Sequence, residues 1–225
     1  MMDLQGFGAQ ILAGAVTTLP VACLSLVFGT GLGLVAAIGK LAPVRLLGRI
    51  IDAYTTIIRG IPELLIILIL YFGGTLALSA LLDRHVEVNA FAAGVFALTV
   101  VFGAYASEVF RGAILAVPRG QIEAACALGL SRIQVWRLVV LPQMWRFALP
   151  GLGNLWLVLL KETALISVVG LDDLMRKAGL AAGFTHEPLM FYGVAAALYL
   201  LFTSVSLLAL NILERRARRG IRFVH

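Results

Sequence analysis

The sequence predicts an all-α polytopic membrane protein with five transmembrane helices, on three observations. Of 225 residues, 61% are hydrophobic and 13% are charged, against about 45–50% and about 25% in a soluble domain. Mean hydropathy is +0.99. Charge is absent over long stretches, and bases crowd onto one set of connecting loops. This composition excludes a disordered chain, a secreted disulfide scaffold and an ordinary cytosolic enzyme. The formal charge of +6 comes with no run of bases alternating with aromatics, so it does not describe a nucleic-acid surface.

A spanning helix takes about 20 residues. The first charge-free stretch runs from Asp3 to Lys40. It is too long for a signal peptide and lacks a basic lead, so it reads as a retained helix. The next runs from Glu63 to Asp83, the third from Glu87 to Glu108, and the last from Glu187 to Glu214. Between Arg146 and Lys161 the gap is short, but Thr163–Leu171 continues the apolar pattern. The expected spans are therefore 11–38, 58–81, 89–110, 147–170 and 189–213, forming one domain over 1–225.

Orientation follows from the bases. One set of loops and the tail hold thirteen: Lys40, Arg45, Arg49, Arg111, Arg119, Arg132, Arg137, Arg146, and Arg215 to Arg222. The opposite loops hold three, Arg84, Arg176 and Lys177. Bases stay on the cytoplasmic side, so the N-terminus lies outside and the C-terminus inside.

Residues 111–146 are polar and far longer than a turn between helices. Gln121 to Leu128 favours helix, and Gly129 stands where a left-handed cap would end it. Ser131 and Gln134 have capping-box spacing, with Leu130 and Val135 at the staple positions. Pro142 is expected to end the second helix, since the residue before proline avoids helical angles. The expected form is a rigid helix–turn–helix. A hairpin resting on the lipid surface is the plain alternative, and tethering between two spans keeps it from reading DNA.

Glu123-Ala124-Ala125, Gly129 and Leu141-Pro142 resemble the signature of membrane subunits of ATP-binding-cassette importers. The stretches around Arg59-Gly60-Ile61-Pro62, Gly103–Gly112, Ala148–Asn154, Lys161–Gly170 and Leu213–Arg216 are similar to the polar amino acid permeases of that group, most of all the Q-type subunits of histidine/lysine/arginine/ornithine systems. The resemblance covers almost the whole chain and implies a type I importer fold in a bacterial inner membrane, with five spans and the N-terminus outside. It implies that residues 111–146 couple to an ATPase through Glu123, Ala124, Ala125 and Gly129. Ala124 and Ala125 would let two backbones approach, and Glu123 would pair with a base on the partner. It further implies a second, M-type permease subunit, two ATPase subunits holding ATP and Mg, and a periplasmic amino-acid-binding protein. Basic amino acids are the expected cargo, with opines and neutral polar amino acids as alternatives. A departure stands at Glu162, where related subunits often carry Ser or Asp.

A charge at membrane depth costs on the order of 3 kcal/mol or more, so each needs a partner or a wet cavity. Arg59 and Glu63 flank Gly60-Ile61-Pro62; they form either a pair at the inner interface or a broken helix with Glu63 on the transport path. Glu108 and Arg111 have ion-pair spacing. A cavity role for Glu108 with Tyr105 and Ser107 is the other reading, and Tyr105, Glu108 and Gly112 share a face. Lys161 and Glu162 are adjacent and so point apart, one of them onto the path or into subunit packing. Residues 43–58 read as an amphipathic helix at the inner surface, with Arg45, Arg49 and Asp52 on its polar face. The tail bases suit anionic lipid, and Gly29-x-x-x-Gly33 suits close helix packing. Segment 171–188, with Asp172, Asp173, Arg176, Lys177 and His186, is either a solvated loop or a partner-facing one.

No Gly-x-x-x-x-Gly-Lys-Ser/Thr stretch is present, so the chain has no phosphate-cradling loop and is no ATPase by itself. His85, His186 and His225 are scattered, and Cys23 and Cys126 have no ligand spacing; no cofactor or metal is expected on this chain. An ion-gradient carrier or channel, and a purely structural assembly subunit, are the rival classes. The loop 111–146 discriminates against the first of them.

Overall fold

A computed structural model describes residues 5–84 and 88–217. Asp3, His85, Glu87, His225 and the tail bases Arg218, Arg219 and Arg222 lie outside them. The described residues are all helical: α1 Gly8–Leu41, α2 Arg45–Gly60, α3 Glu63–Leu82, α4 Ala90–Leu115, α5 Arg119–Ala127, α6 Arg132–Val135, α7 Leu141–Glu162, α8 Leu174–Thr185 and α9 Pro188–Ala217. Five helical segments among them are long and apolar enough to cross a membrane: α1, α3, α4, the run Arg132–Val169 and α9. The expected spans match in number and order.

Two boundaries moved, and a proline explains each. The second span starts at Glu63, not at 58. Ile61 is extended (φ −109°, ψ 139°) because it precedes Pro62, so Arg59 and Gly60 close α2. Pro142, by contrast, does not end its helix. It sits in the first turn of α7, where a missing N–H removes little, and the turn before it, Trp136–Val140, is a π-helix. The Leu141 N–H donates to the Trp136 carbonyl, so the widened turn takes up the break. Helix therefore runs unbroken from Arg132 through α7 into the 3₁₀ turn Thr163–Val169.

α1 packs most extensively on α4, and small residues make this possible. A Cβ on Gly33 would lie 2.7 Å from the Ala106 Cβ and 3.1 Å from the Gly103 carbonyl oxygen, and one on Gly29 would lie 2.7 Å from the Phe102 ring. The two backbones approach to glycine distance, as the Gly29/Gly33 spacing predicts. α4 packs on α7, α7 on α9, and α3 lies against α4. The core holds Leu98, Phe102, Phe110, Met144, Leu159 and Ile166. α3 and α9 are mostly exposed along their lengths, and their outer surfaces are apolar, as surfaces meeting lipid or a neighbouring span must be.

Lys40, ending α1, meets Glu108, near the end of α4, while Gly14, near the start of α1, meets Asp173 and Leu174. The bundle thus has a loop end, carrying α5 and α6, and a far end, carrying α8. Gly33→Val should overpack the α1–α4 contact by about 1–3 kcal/mol and lower the unfolding midpoint in detergent. Gly31→Ala, whose Cβ meets nothing within 4 Å, should leave the midpoint unchanged or raise it.

Candidate functional site

The loop hairpin is built from local rules alone. Gly129 has φ +79°. Its N–H donates to the Cys126 carbonyl (3.0 Å), and the Leu130 N–H donates to that of Ala125 (3.2 Å); these are the two bonds of a Schellman cap. Two residues on, the Gln134 N–H donates to the Ser131 hydroxyl (3.4 Å), and the Ser131 N–H donates to Gln134 Oε1 (2.8 Å), completing the predicted capping box. Leu130 packs with Val135, the staple contact. Gln143 bonds Gln121 and ties α5 to α7. The hairpin is a rigid projection.

The two alanines do different things. Ala125 is buried in the hairpin's own core with Val117, Val135 and Val140, so it cannot line an outer contact. Glu123 and Ala124 are exposed. Beside them stands Leu128, 82% exposed, an apolar residue that the sequence did not single out. Its position just before the cap glycine was the available signal.

A second cluster lies where α1, α2 and α4 meet. Lys40, with a side chain only 5% exposed, places Nζ 2.5 Å from Glu108 Oε1, 3.0 Å from Asp52 and 2.7 Å from the Thr55 hydroxyl. Arg111 holds Glu108 Oε2 through Nε and Nη2, both at 2.9 Å. The Glu108–Arg111 pair is as expected, and Lys40 is the partner that sequence spacing could not supply. Ser107 is fully buried and donates to the Ala104 carbonyl (2.8 Å), which removes it from any cavity surface. α2 is amphipathic, but Thr55 turns inward and Asp52, itself exposed, reaches Lys40, while Leu46, Ile50 and Ile57 are exposed. Tyr54 donates to the Val100 carbonyl at 2.6 Å, and burial pushes its phenol up to about 12.

The third cluster centres on Tyr105. Its hydroxyl donates to Glu63 Oε1 (3.3 Å), and the Arg59 guanidinium lies 5.4 Å from its ring centroid. Tyr105 thus links Arg59 to Glu63, the pair that the sequence joined directly. Although Tyr105 and Glu108 share a face of α4, the first turns to α3 and the second to α1 and α2. Glu162, closing α7, lies within electrostatic reach of both Glu63 and Tyr105. Lys161 points elsewhere, into a space of about 310 Å³ lined with Met175, Tyr192 and Tyr199. The adjacent pair diverges, as helix geometry requires. Among the described residues no group of three or more His, Cys, Asp or Glu could hold a metal.

At the far end, segment 171–188 holds a helix, α8, rather than a bare loop. Asp173 caps it, accepting from the Arg176 N–H at 2.8 Å. Its other carboxylate oxygen is buried without a partner. Burial pushes the Asp173 carboxyl up to about 6. The Lys177 ammonium, 2.8 Å from exposed Asp172, holds that carboxyl below its ordinary value.

Residues 29–219 match the family described as binding-protein-dependent transport system inner membrane component. The chain is 44% identical to the histidine/lysine/arginine/ornithine transport system permease protein HisQ of Escherichia coli, covering 97% of this chain and 98% of that protein. It is 45% identical to the nopaline transport system permease protein NocQ of Agrobacterium fabrum, covering 96% and 94%. A solved structure described as an amino acid ABC transporter with histidines superposes with a TM-score of 0.84 at 32% identity, covering 96% of this chain and 97% of that one.

The Asp173 carboxyl yields a pH prediction. A carboxyl raised from 3.8 to about 6 favours the folded state while protonated. That contribution, on the order of 3 kcal/mol, is complete below about pH 4 and lost as pH rises through about 6. The unfolding midpoint should therefore fall between about pH 4 and about pH 7. Asp173→Asn keeps a capping oxygen and should flatten that slope.

Proposed function

The chain belongs to the family of binding-protein-dependent transport system inner membrane components, and on that footing we propose how it works within an ATP-driven amino acid importer. The chain is the permease subunit of such an importer, and ATP hydrolysis belongs to separate subunits. A gradient-driven carrier or channel is set aside by this membership.

On our reading, the loop end is cytoplasmic, with the N-terminus outside. Arg119, Arg132, Arg137, Arg146, Arg215 and Arg216 stand at that end, as the positive-inside rule demands. The single observation that carries the mechanism is the closed hairpin presenting Glu123, Ala124 and Leu128 outward. Leu128 supplies an apolar knob, Ala124 a place for close approach, and Glu123 a charge for a base on the ATPase. Two ATPase subunits, a second M-type permease and a periplasmic binding protein complete the proposed assembly. Closure of the ATPases on ATP pushes the hairpin, and the unbroken helix Arg132–Val169 carries that displacement into the membrane. The spans then alternate between outward and inward access, and hydrolysis resets them.

The proposed cargo is a basic amino acid. Glu63 and Glu162 converge on Tyr105, with Arg59 beside its ring and Lys161 next to Glu162, so two carboxylates bring their negative charge to one place at membrane depth. A cationic side chain offsets that charge. An opine is the rival cargo, because one similar relative is named for nopaline transport.

Glu123→Arg and Gly129→Val should insert normally yet leave ATPase activity no longer coupled to uptake in liposomes. Gly129→Val acts by forcing a β-branched residue to positive φ. Normal uptake in both variants would overturn the coupling role. Glu63→Gln and Glu162→Gln should each cut uptake of labelled lysine or arginine by roughly tenfold to a hundredfold, the loss of one charge-assisted contact of about 1.5–3 kcal/mol. Basal ATP hydrolysis by the assembled complex should persist in both.

A further inference from the structure

A groove of about 620 Å³ runs between α1, α7 and α9, lined by Leu26, Val27, Trp145, Trp156, Leu210 and Leu213 among others. It lies on three membrane-crossing segments, and none of the three charged clusters opens into it. Along α9 its lining repeats at Val205, Ser206, Ala209, Leu210 and Leu213, and one more turn on that stripe brings Arg216. Along α7 it repeats at Leu149, Gly153 and Trp156, and one turn back brings Arg146, since i, i+3 and i+7 share a face. Both bases are exposed. With Arg215 beside them, three bases face one acid, Glu214, at the groove's loop end.

The dimensions choose the occupant. From Val205 to Leu213 the groove extends about 12 Å at ~1.5 Å per residue, close to half the hydrocarbon thickness of about 30 Å. One acyl chain of a single leaflet runs over that same length. The walls offer indoles and aliphatic side chains, and the open end offers guanidinium groups, which bind phosphate strongly. We infer that this groove is a binding site for one acyl chain of an anionic phospholipid, its phosphate held by Arg146 and Arg216 at the loop end.

The site stands on membrane insertion alone, so its fate is independent of the cargo and of the coupling mechanism. The test is native mass spectrometry of the full chain, purified in mild detergent with its assembled subunits, then titrated with phosphatidylglycerol or phosphatidylethanolamine. The expected result is retention of one phosphatidylglycerol at detergent levels that strip phosphatidylethanolamine. Arg146→Gln with Arg216→Gln, and separately the groove-filling Ala209→Trp, should each reduce that retention at least fivefold. A photo-reactive amino acid at Ser206 keeps the question open to an answer if those variants misfold; it should capture phospholipid. Equal retention of the two lipids, unchanged retention in well-folded variants, or capture of a polypeptide at Ser206 would overturn the inference.

Discussion

An ammonium group cannot be left unpaired inside a membrane protein, and the placement of Lys40 organises the loop end of this bundle. Its side chain is nearly closed to solvent and meets oxygens from Asp52, Thr55 and Glu108. Those oxygens come from α2 and α4, while Lys40 ends α1. Lys40 is the buried member, while Glu108 is partly and Asp52 largely exposed, so loss of its acids would leave an ammonium without counter-charge inside the bundle. The pairing ties α1 to α2 and α4 at this end, while α1 itself stops where Ala42, extended before Pro43, leaves the helix. It also forces Glu108 to share itself between two bases, which leaves that carboxylate no free oxygen for a passing solute.

Away from this cluster, apolar side chains in lipid gain little by burial against each other, and close packing has to do the joining. Gly29, Gly33 and Gly103 admit Phe102, Ala106 and Leu32 at distances that a Cβ would forbid. Two hydroxyls of α1 are satisfied within the bundle: Ser25 donates to the Val95 carbonyl and Thr18 to that of Gly14. The loop hairpin follows a different logic. It sits where water competes for every backbone group, and it closes its helix ends with a Schellman cap and a capping box, while packing on Val117 and Val140 and the Gln121–Gln143 bond fix it to the flanking helices.

This difference explains what the sequence made legible. Everything governed by short-range rules could be read: the five spans, the left-handed Gly129, the Ser131–Gln134 box, the Glu108–Arg111 pair and the divergence of Lys161 from Glu162. What depended on distant partners could not. Lys40 looked like an ordinary loop base because Glu108 lies far along the chain. Tyr105 was grouped with Glu108 by helical spacing, yet their partners sit on different helices. Ser107 looked like a cavity hydroxyl until burial and its bond to Ala104 placed it in the core. Ala124 and Ala125 looked equivalent, and only the packing of the hairpin against Val135 and Val140 distinguishes them. Pro142 misled in another way: the rule that proline ends a helix was sound, but a π turn upstream absorbs the missing donor at local cost.

The contrast between the two acidic clusters bears on the proposed transport path. Glu108 is neutralised by two bases, Lys40 and Arg111. Glu63 has a phenol and, through that ring, one guanidinium, and Glu162 stands within its field. Of the two clusters, this is the one whose carboxylates are not each clamped by a base as Glu108 is, and on the proposed reading an arriving cation meets them. It is also built across two junctions: the break at Ile61-Pro62, between α2 and α3, and the end of α7, where α-helix gives way to a 3₁₀ turn. The second of these is the far end of the same helix that begins at the hairpin. A push on Glu123 and Leu128 passes the turn at Gly129 into the helix that begins at Arg132, and only from there does continuous hydrogen-bonded backbone lead to Glu162, whereas Glu63 lies on a separate element. On the proposed reading, ATP-driven motion changes the spacing of the two carboxylates, and with it the affinity for a cationic solute. A change of spacing is what converts a binding site into a step of transport, because a site of constant geometry would hold the solute equally well facing either side.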